Sequence, residues 1–119
     1  MALMYQERGY LPPWIGYLAE NDGQIVGTCA FRSAPVKNRV DIAYFTFPGH
    51  ENKGIATEMA SQLVSIAKRN IPHIIIVGQT PPINSASTRI LRKIGFQYVR
   101  SINHPDEGYV WEWELPLSR

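Results

Sequence analysis

Alternating apolar and polar residues in the first third of the chain predict three β-strands. Each segment is rich in aromatic and β-branched residues, which favour strands. Turn-forming residues such as Asn21-Asp22-Gly23-Gln24 separate one segment from the next. The short connections indicate an antiparallel meander, and residues 1–13, which end at a Pro-Pro pair, favour no single type of element. The three predicted strands are Trp14 to Glu20, Gln24 to Arg32 and Val40 to Phe47.

The apolar spacing becomes helical after Gly54. Apolar residues recur there on one face, as in an amphipathic helix that runs from Gly54 to Asn70 and is followed by Pro72. The apolar positions are Ile55, Met59, Leu63, Ile66 and Ala67.

The remaining segments predict a buried strand, a second helix and a closing pair of strands. The run from His73 to Val77 suits a fully buried strand. A helix from about Asn84 to Lys93 is expected to be capped by Asn84 and ended by Gly95. The closing strands are Phe96 to Ser101 and Tyr109 to Leu115. The order βββ-α-β-α-ββ predicts a mixed α/β sheet, mostly antiparallel, in which a right-handed crossover makes one pair of strands parallel or splayed.

Composition narrows the class of protein without naming a function. The 119 residues suit one domain spanning residues 1–119, and 45% apolar with 18% charged residues are ordinary for a globular protein. A net charge of +2 argues against a nucleic-acid partner, and no apolar run approaches the roughly 20 residues of a membrane span. The single cysteine, Cys29, forbids an internal disulfide and fits a cytoplasmic protein. The histidines lack the spacing of a zinc site, so no metal is expected.

The stretch from Pro48 to Glu58 is the best candidate for chemistry. It joins a predicted strand to the start of a helix, where backbone N–H groups lack partners and the helix dipole favours an anion. Gly54 would allow a pyrophosphate to approach closely, while Thr57 adds a hydroxyl and Lys53 a positive charge. On spacing alone, an ordinary helix start remains a slightly better interpretation than a phosphate site.

Two segments resemble motifs of the GNAT N-acetyltransferase superfamily. The sequence PGHENKGIATEMA, from Pro48 to Ala60, is similar to its acetyl-CoA signature Gln/Arg-x-x-Gly-x-Gly/Ala. Asn84-Ser85-Ala86-Ser87 followed by Leu91 to Phe96 resembles the pattern Asn-x-x-Ser…Leu-x-Lys-x-Gly-Phe. That pattern is typical of the branch that acetylates the N-termini of ribosomal proteins. The resemblance covers about Trp14 to Glu114.

The resemblance implies an N-acetyltransferase that moves an acetyl group from acetyl-CoA to a primary amine by direct attack. The alternative is a non-catalytic CoA-binding or interaction module of the same fold. Glu51 stands where the family usually has Gln or Arg, and the family's first strand and following helices are expected to be missing or reduced to residues 1–13. Those elements shape the acceptor pocket, which allows a homodimer whose partner completes it.

The resemblance also assigns roles to individual residues. Backbone groups of Tyr44, Phe45 and Thr46 are expected to bind the pantetheine arm, and the Phe45 N–H to polarise the thioester oxygen. Asn84 is expected to bond the pantetheine amides, and Ser87 to face the thiol. The pyrophosphate is expected to lie against His50, Glu51, Asn52, Lys53, Gly54, Ile55 and Ala56, with Thr57 nearby.

Asp41 and Ser87 are the candidate catalytic residues. Asp41 matches a frequent Glu at the start of the family's fourth strand and would act as general base, whereas Ser87 would protonate the leaving thiolate. A solvated carboxylate at a strand edge and a serine on a helix surface are about equally good interpretations of the same two residues.

Overall fold

The computed structural model describes residues 3–6 and 12–117. Within these ranges the chain forms seven strands and two helices. The strands are β1 (Leu3–Gln6), β2 (Gly16–Asn21), β3 (Gln24–Phe31), β4 (Arg39–Thr46), β5 (Ile75–Thr80), β6 (Gln97–His104) and β7 (Gly108–Leu115). The helices are α1 (Ile55–Asn70) and α2 (Ala86–Ile94).

The strands form one sheet in the order β1-β2-β3-β4-β5-β7-β6. β4 and β5 are parallel, and the other neighbouring pairs are antiparallel. The predicted order βββ-α-β-α-ββ and the mixed α/β class are confirmed, with one strand added in front. That strand, β1, pairs with β2 from Leu3↔Glu20 to Gln6↔Tyr17. Residues 1–13 therefore include a strand that the sequence did not predict.

The pairing between β4 and β5 is short. Their register partners run from Arg39↔Ile75 to Ile42↔Gly78, whereas β4 continues beside β3 as far as Thr46. Beyond Ile42, β4 has a neighbouring strand on one side only. The parallel pair is therefore also splayed, and a cleft opens between the carboxyl ends of β4 and β5.

β5 lies later in the chain than its apolar run predicted. The run from His73 to Val77 enters the strand only at Ile75, because Ile74 N–H donates to Ile71 O at 3.0 Å in a turn after α1. The strand then continues through Gly78-Gln79-Thr80, which pairs with β7. Hydrogen bonding to β7, which lies between β5 and β6, extends the strand beyond its apolar residues.

The start of α2 also differs from the prediction. Ser85 is its N-cap, so the expectation that Asn84 caps the helix was wrong. Ser85 N–H donates to Thr88 Oγ1 at 2.9 Å, and Thr88 Oγ1 donates back to Ser85 O at 2.9 Å, which fixes the first turn. Gly95 ends the helix as predicted, with a φ of 116° and its N–H donating to Leu91 O at 3.1 Å.

Both helices pack against the same face of the sheet. A Cβ on Gly27 of β3 would lie 3.1 Å from Met59 Cε of α1, and a Cβ on Gly78 of β5 would lie 3.1 Å from Leu91 Cδ1 of α2. Gly27 pairs with Thr46 of β4, and Gly78 pairs with Ile42 of β4. Because residues an even number of positions apart on a strand face the same side, both glycines face one side of the sheet. The core fills the space between, and its most buried members include Val26, Val40, Met59, Leu63, Ile76, Leu91 and Trp113. Neither described helix combines the length and apolarity needed to cross a membrane.

Replacing Gly27 by alanine is expected to lower the free energy of unfolding by about 1–3 kcal/mol, as overpacking does. A Cβ there would lie 2.5 Å from the backbone Phe45 O, which cannot retreat without moving β4. Gly78→Ala is the matched control, because its Cβ would meet only the end of the Leu91 side chain. Urea denaturation of both variants checks this, and an equal loss in the two would contradict it.

Candidate functional site

A cavity of about 450 Å³ lies where the cleft beside β4 meets the start of α1 and one side of α2. Its walls come from the end of β4, from the loop and helix start that directly follow it, and from α2, which lies later in the chain. The lining residues are Tyr44, Phe45, Thr46, His50, Glu51, Asn52, Gly54, Ile55, Ala56, Thr57, Ala86, Ser87, Arg89, Ile90 and Lys93.

The β4 wall presents backbone hydrogen-bonding groups to the cleft. Arg32 N–H donates to Asp41 O at 2.9 Å, and Phe47 N–H donates to Val26 O at 2.8 Å, so odd-numbered residues of β4 bond to β3. Even-numbered residues point the other way, and the backbone groups of Tyr44 and Thr46 therefore face the cleft, beyond the end of the pairing with β5.

This alternation overturns both roles expected of Phe45, because its backbone N–H and C=O both point to β3 and so reach neither the pantetheine arm nor the thioester oxygen. The Phe45 N–H points toward Thr28, its register partner on β3, and cannot polarise a group in the cleft. The amides of Tyr44 and Thr46 are the ones available. Thr46 adds a buried side-chain oxygen, Oγ1, that has no hydrogen-bond partner among the described residues.

The start of α1 supplies a second set of unpaired amides. The first hydrogen bond of the helix runs from Glu58 N–H to Gly54 O at 3.0 Å. Gly54 is the N-cap, with a φ of 77°, and no side chain caps the helix. Consequently the N–H groups of Ile55, Ala56 and Thr57 have no acceptor within the described part of the chain. Such amides, together with the helix dipole, form an anion site.

One oxygen of the Glu51 carboxylate is bonded to the backbone of its own loop. Its Oε1 accepts the Gly49 N–H at 2.9 Å, in a turn that His50 N–H closes by donating to Phe47 O at 3.0 Å. This hydrogen bond ties one carboxylate oxygen to the loop in front of α1.

The α2 wall includes residues that the sequence reasoning did not assign to the site. Ala86, Arg89, Ile90 and Lys93 line the cavity together with the expected Ser87. Their spacing of three and four residues places them on one side of the helix, while Thr88 and Leu91 are buried on another. The helical spacing was visible in the sequence, but which side of α2 faces the cavity depends on packing.

Three expected site residues do not line the cavity. Lys53 and Asn84 are exposed beside it. Asp41 is half-buried on β4, where its register partner is Val77, and it lies on the face of the sheet opposite the helices. No cluster of three or more His, Cys, Asp or Glu side chains suited to a metal occurs in residues 3–6 and 12–117.

Burial changes the acidity of one cavity residue. Desolvation raises the pKa of the Tyr44 phenol to about 12, so the hydroxyl is neutral at physiological pH. A neutral hydroxyl adds no repulsion toward an anionic ligand.

Comparison with known proteins identifies the family. The sequence model described as Acetyltransferase (GNAT) domain matches residues 1–97. The chain belongs to the GNAT family. Among curated proteins, this GNAT domain is 32% identical over 97 residues to YoaA of Bacillus subtilis (strain 168), an uncharacterized N-acetyltransferase. The match covers 81% of the chain and 54% of YoaA, so the chain spans about half the length of that relative.

Solved structures show the same fold. The GNAT domain superposes on yncA of Salmonella typhimurium, solved with its cofactor acetyl-CoA, with a TM-score of 0.75 and 21% identity over 90% of this chain and 66% of that one. It superposes on RimL, a ribosomal L7/L12 α-N-protein acetyltransferase solved with coenzyme A, with a TM-score of 0.77 and 16% identity over 87% of this chain and 62% of that one. At these identities the likeness concerns the fold.

Proposed function

We propose that this GNAT domain binds acetyl-CoA in the cavity and transfers the acetyl group to a primary amine. The observation that carries the proposal is the pairing of two sets of free backbone amides along one cavity. One set lies on β4 at Tyr44 and Thr46, and the other begins α1 at Ile55 to Thr57. An extended pantetheine arm fits beside the open edge of β4 as an added strand would. A pyrophosphate fits the start of α1.

The cavity residues suit the chemistry of acyl transfer. The amine nitrogen attacks the thioester carbonyl, the C–N bond forms as the C–S bond breaks, the amine loses a proton and the CoA thiolate gains one. An amide of Tyr44 or Thr46 would stabilise the oxyanion. Ser87 lines the cavity, which supports our assignment of it as the donor of a proton to the thiolate.

Asp41 remains our candidate for the general base. Asp41 pairs with Val77 of β5, one position before the last pair of the two strands. Its side chain lies on the face of the sheet away from the helices. An amine that reaches the cleft from that face would pass close to this carboxylate. Tyr44 is three residues further along β4, about 10 Å away, so the proton would travel through water.

Exchanging Asp41 for asparagine is expected to lower turnover by about tenfold and to leave acetyl-CoA affinity unchanged. Water-mediated transfer makes this loss smaller than that for a base in direct contact. Stopped assays with a thiol reagent measure turnover, and calorimetry measures affinity. Asp106→Asn, in the β6–β7 turn, is the control for the charge change. If the two variants had equal rates, Asp41 would not be the base.

The proposal is tested by titrating the chain with acetyl-CoA and then measuring CoA release with a panel of amines. The panel should contain a peptide N-terminus, an amino sugar and a polyamine. Release that depends on one amine, with acetylated amine detected by mass spectrometry, supports the proposal. Absence of acetyl-CoA binding would overturn it.

One observation favours a non-catalytic CoA-binding module as the second candidate. Asp41 does not line the cavity, and among residues 3–6 and 12–117 the one carboxylate that does is Glu51, which bonds its own loop. Binding of acetyl-CoA without turnover on any amine of the panel would support this candidate.

Three finer assignments are also proposals. The motif from Asn84 to Phe96 and the likeness to RimL support the N-terminus of a ribosomal protein as the acceptor. The peptide N-terminus in the panel of amines tests this acceptor. The single buried thiol of Cys29 supports a cytoplasmic location, which fractionation tests. A homodimer would help to enclose the acceptor, and sedimentation tests it.

A further inference from the structure

A second, shallower cavity of about 250 Å³ lies on the face of the sheet away from the helices. Thr28 of β3 pairs with Phe45 of β4, and Ala30 of β3 pairs with Ala43 of β4. Because Gly27 faces the helices, alternation along the strands directs these four side chains to the other face. The two alanines leave the space that forms this far-face cavity, and the Phe45 side chain beside them is 58% exposed.

The far-face cavity lies directly behind the part of β4 that borders the cavity proposed for acetyl-CoA. Tyr44 and Phe45 line both cavities. β5 pairs with β4 only as far as Ile42, so beyond that residue no strand separates the two cavities on the cleft side of β4. Ala43 precedes Tyr44 by about 3.3 Å along the strand. A molecule in the far-face cavity can therefore reach past the edge of β4 to a thioester held at Tyr44.

A buried amide oxygen lies across the cleft from Ala43. Gln79 follows Gly78, the last residue of β5 that pairs with β4. A Cβ on Gly78 would contact Leu91 of α2, so the Gln79 side chain points to the far face. Gln79 Oε1 is buried and accepts no hydrogen bond from the described residues. A buried acceptor without a donor costs free energy, which the N–H of a bound amine would recover.

The lining of the far-face cavity favours an apolar ligand over a polar one. None of the residues that form it carries a charge at neutral pH, and they are Thr28, Cys29, Ala30, Ala43, Tyr44 and Phe45. The second ammonium group of a polyamine or the hydroxyls of an amino sugar would lose water there without gaining partners. An alkyl or aromatic group would gain free energy from the same burial.

We propose that the far-face cavity binds the acceptor, a primary amine attached to a small alkyl or aromatic group. That group lies over Ala30 and Ala43, and the amine N–H donates to Gln79 Oε1. The inference rests on the proposed acetyl transfer, because the amine then lies beside a thioester held at Tyr44. Asp41 shares this face two residues before Ala43, about 7 Å away, which suits proton transfer through water.

The first test compares four amines by CoA release from the full chain saturated with acetyl-CoA. Phenethylamine and isopentylamine are expected to have a kcat/KM at least about tenfold above that of ethanolamine and putrescine. Ala43→Asp puts a charge into the cavity and should abolish this preference while acetyl-CoA affinity, measured by calorimetry, is kept. Ala34→Asp makes the same change at an exposed position between β3 and β4 and should keep the preference.

The role of Gln79 is tested by separating kcat from KM. Gln79→Met keeps the length of the side chain and removes the amide oxygen. We expect kcat with phenethylamine to fall by about tenfold while its KM stays nearly the same, because the apolar group still binds and the amine is no longer oriented. An unchanged kcat would overturn the placement of the amine at Gln79. Thermal denaturation checks that each variant is folded.

Binding is tested independently of turnover by two-dimensional amide NMR of the CoA-loaded wild type during titration with phenethylamine. Amide shifts are expected at Thr28, Ala30, Ala43 and Phe45. Shifts confined to other surfaces, or no shifts, would overturn the inference even if acetyl-CoA binds. Equal kcat/KM for the four amines would also overturn it and leave the proposed function intact. Shifts at these residues without turnover of any amine would keep the binding site and overturn the acetyl transfer.

Discussion

Replacing Gly54 by glutamate is expected to abolish acetyl-CoA binding, with a loss of at least about a thousandfold in affinity. Gly54 is the N-cap of α1 and lines the cavity, and the amides of the three following residues are unpaired. A carboxylate at this position would repel a pyrophosphate and would itself accept hydrogen bonds from the free amides. Calorimetric titration with acetyl-CoA measures the loss.

The control for this variant must carry the same backbone strain. Gly54 has a φ of +77°, and a Cβ there would meet nothing within 4 Å, so the substitution costs conformational energy without a clash. Gly23, in the turn between β2 and β3, has a φ of +80° and equally open surroundings. Gly23→Glu should therefore lose similar stability and keep cofactor affinity. If the Gly54→Glu variant bound acetyl-CoA normally, the start of α1 would not be the site of the pyrophosphate.

The parts of the site that could be predicted are those that depend only on residues close together in the chain. The helical spacing from Ile55 to Ala67, with Gly54 immediately before it, places a helix start next to a strand, and α1 begins there. Unpaired amides follow from the geometry of any helix start. The anion site therefore needed no knowledge of the rest of the fold.

The direction of the β4 amides could not be predicted in this way. Whether Phe45 or its neighbours face the cleft depends on the register of β4 against β3, which is a relation between distant segments. A shift of this register by one residue would exchange the amides that face β3 with those that face the cleft. The same reasoning applies to β5, whose last residues, Gly78-Gln79-Thr80, have no apolar pattern and are held by their pairing with β7.

The first strand illustrates the same limit. Leu3–Gln6 is too short to show a clear alternation, and it becomes a strand by pairing with β2. The α2 cations are an intermediate case. Their spacing put Arg89 and Lys93 on one side of a helix, but only the burial of Thr88 and Leu91 determines that this side lines the cavity.

Truncating Trp113 to alanine is expected to lower the free energy of unfolding by about 3–5 kcal/mol. The side chain is 1% exposed, and its Nε1 donates to Thr80 Oγ1 at 3.0 Å. It also packs edge-on against Tyr98 and Trp111 and lies beneath Arg92 of α2. Since single domains are typically stable by about 5–15 kcal/mol, the variant would lie near the threshold of folding.

The effect on stability should be accompanied by a loss of cofactor affinity, because Trp113 supports the helix that carries Ser87, Arg89 and Lys93. Trp113→Phe keeps a ring in the core and gives up the bond to Thr80, so it should cost about 1–2 kcal/mol. Trp111→Ala removes a ring that is only partly buried and should cost less than Trp113→Ala. Urea denaturation followed by far-ultraviolet circular dichroism measures all three. If Trp113→Ala and Trp111→Ala lowered the free energy of unfolding equally, α2 would be held in place by contacts other than those with Trp113.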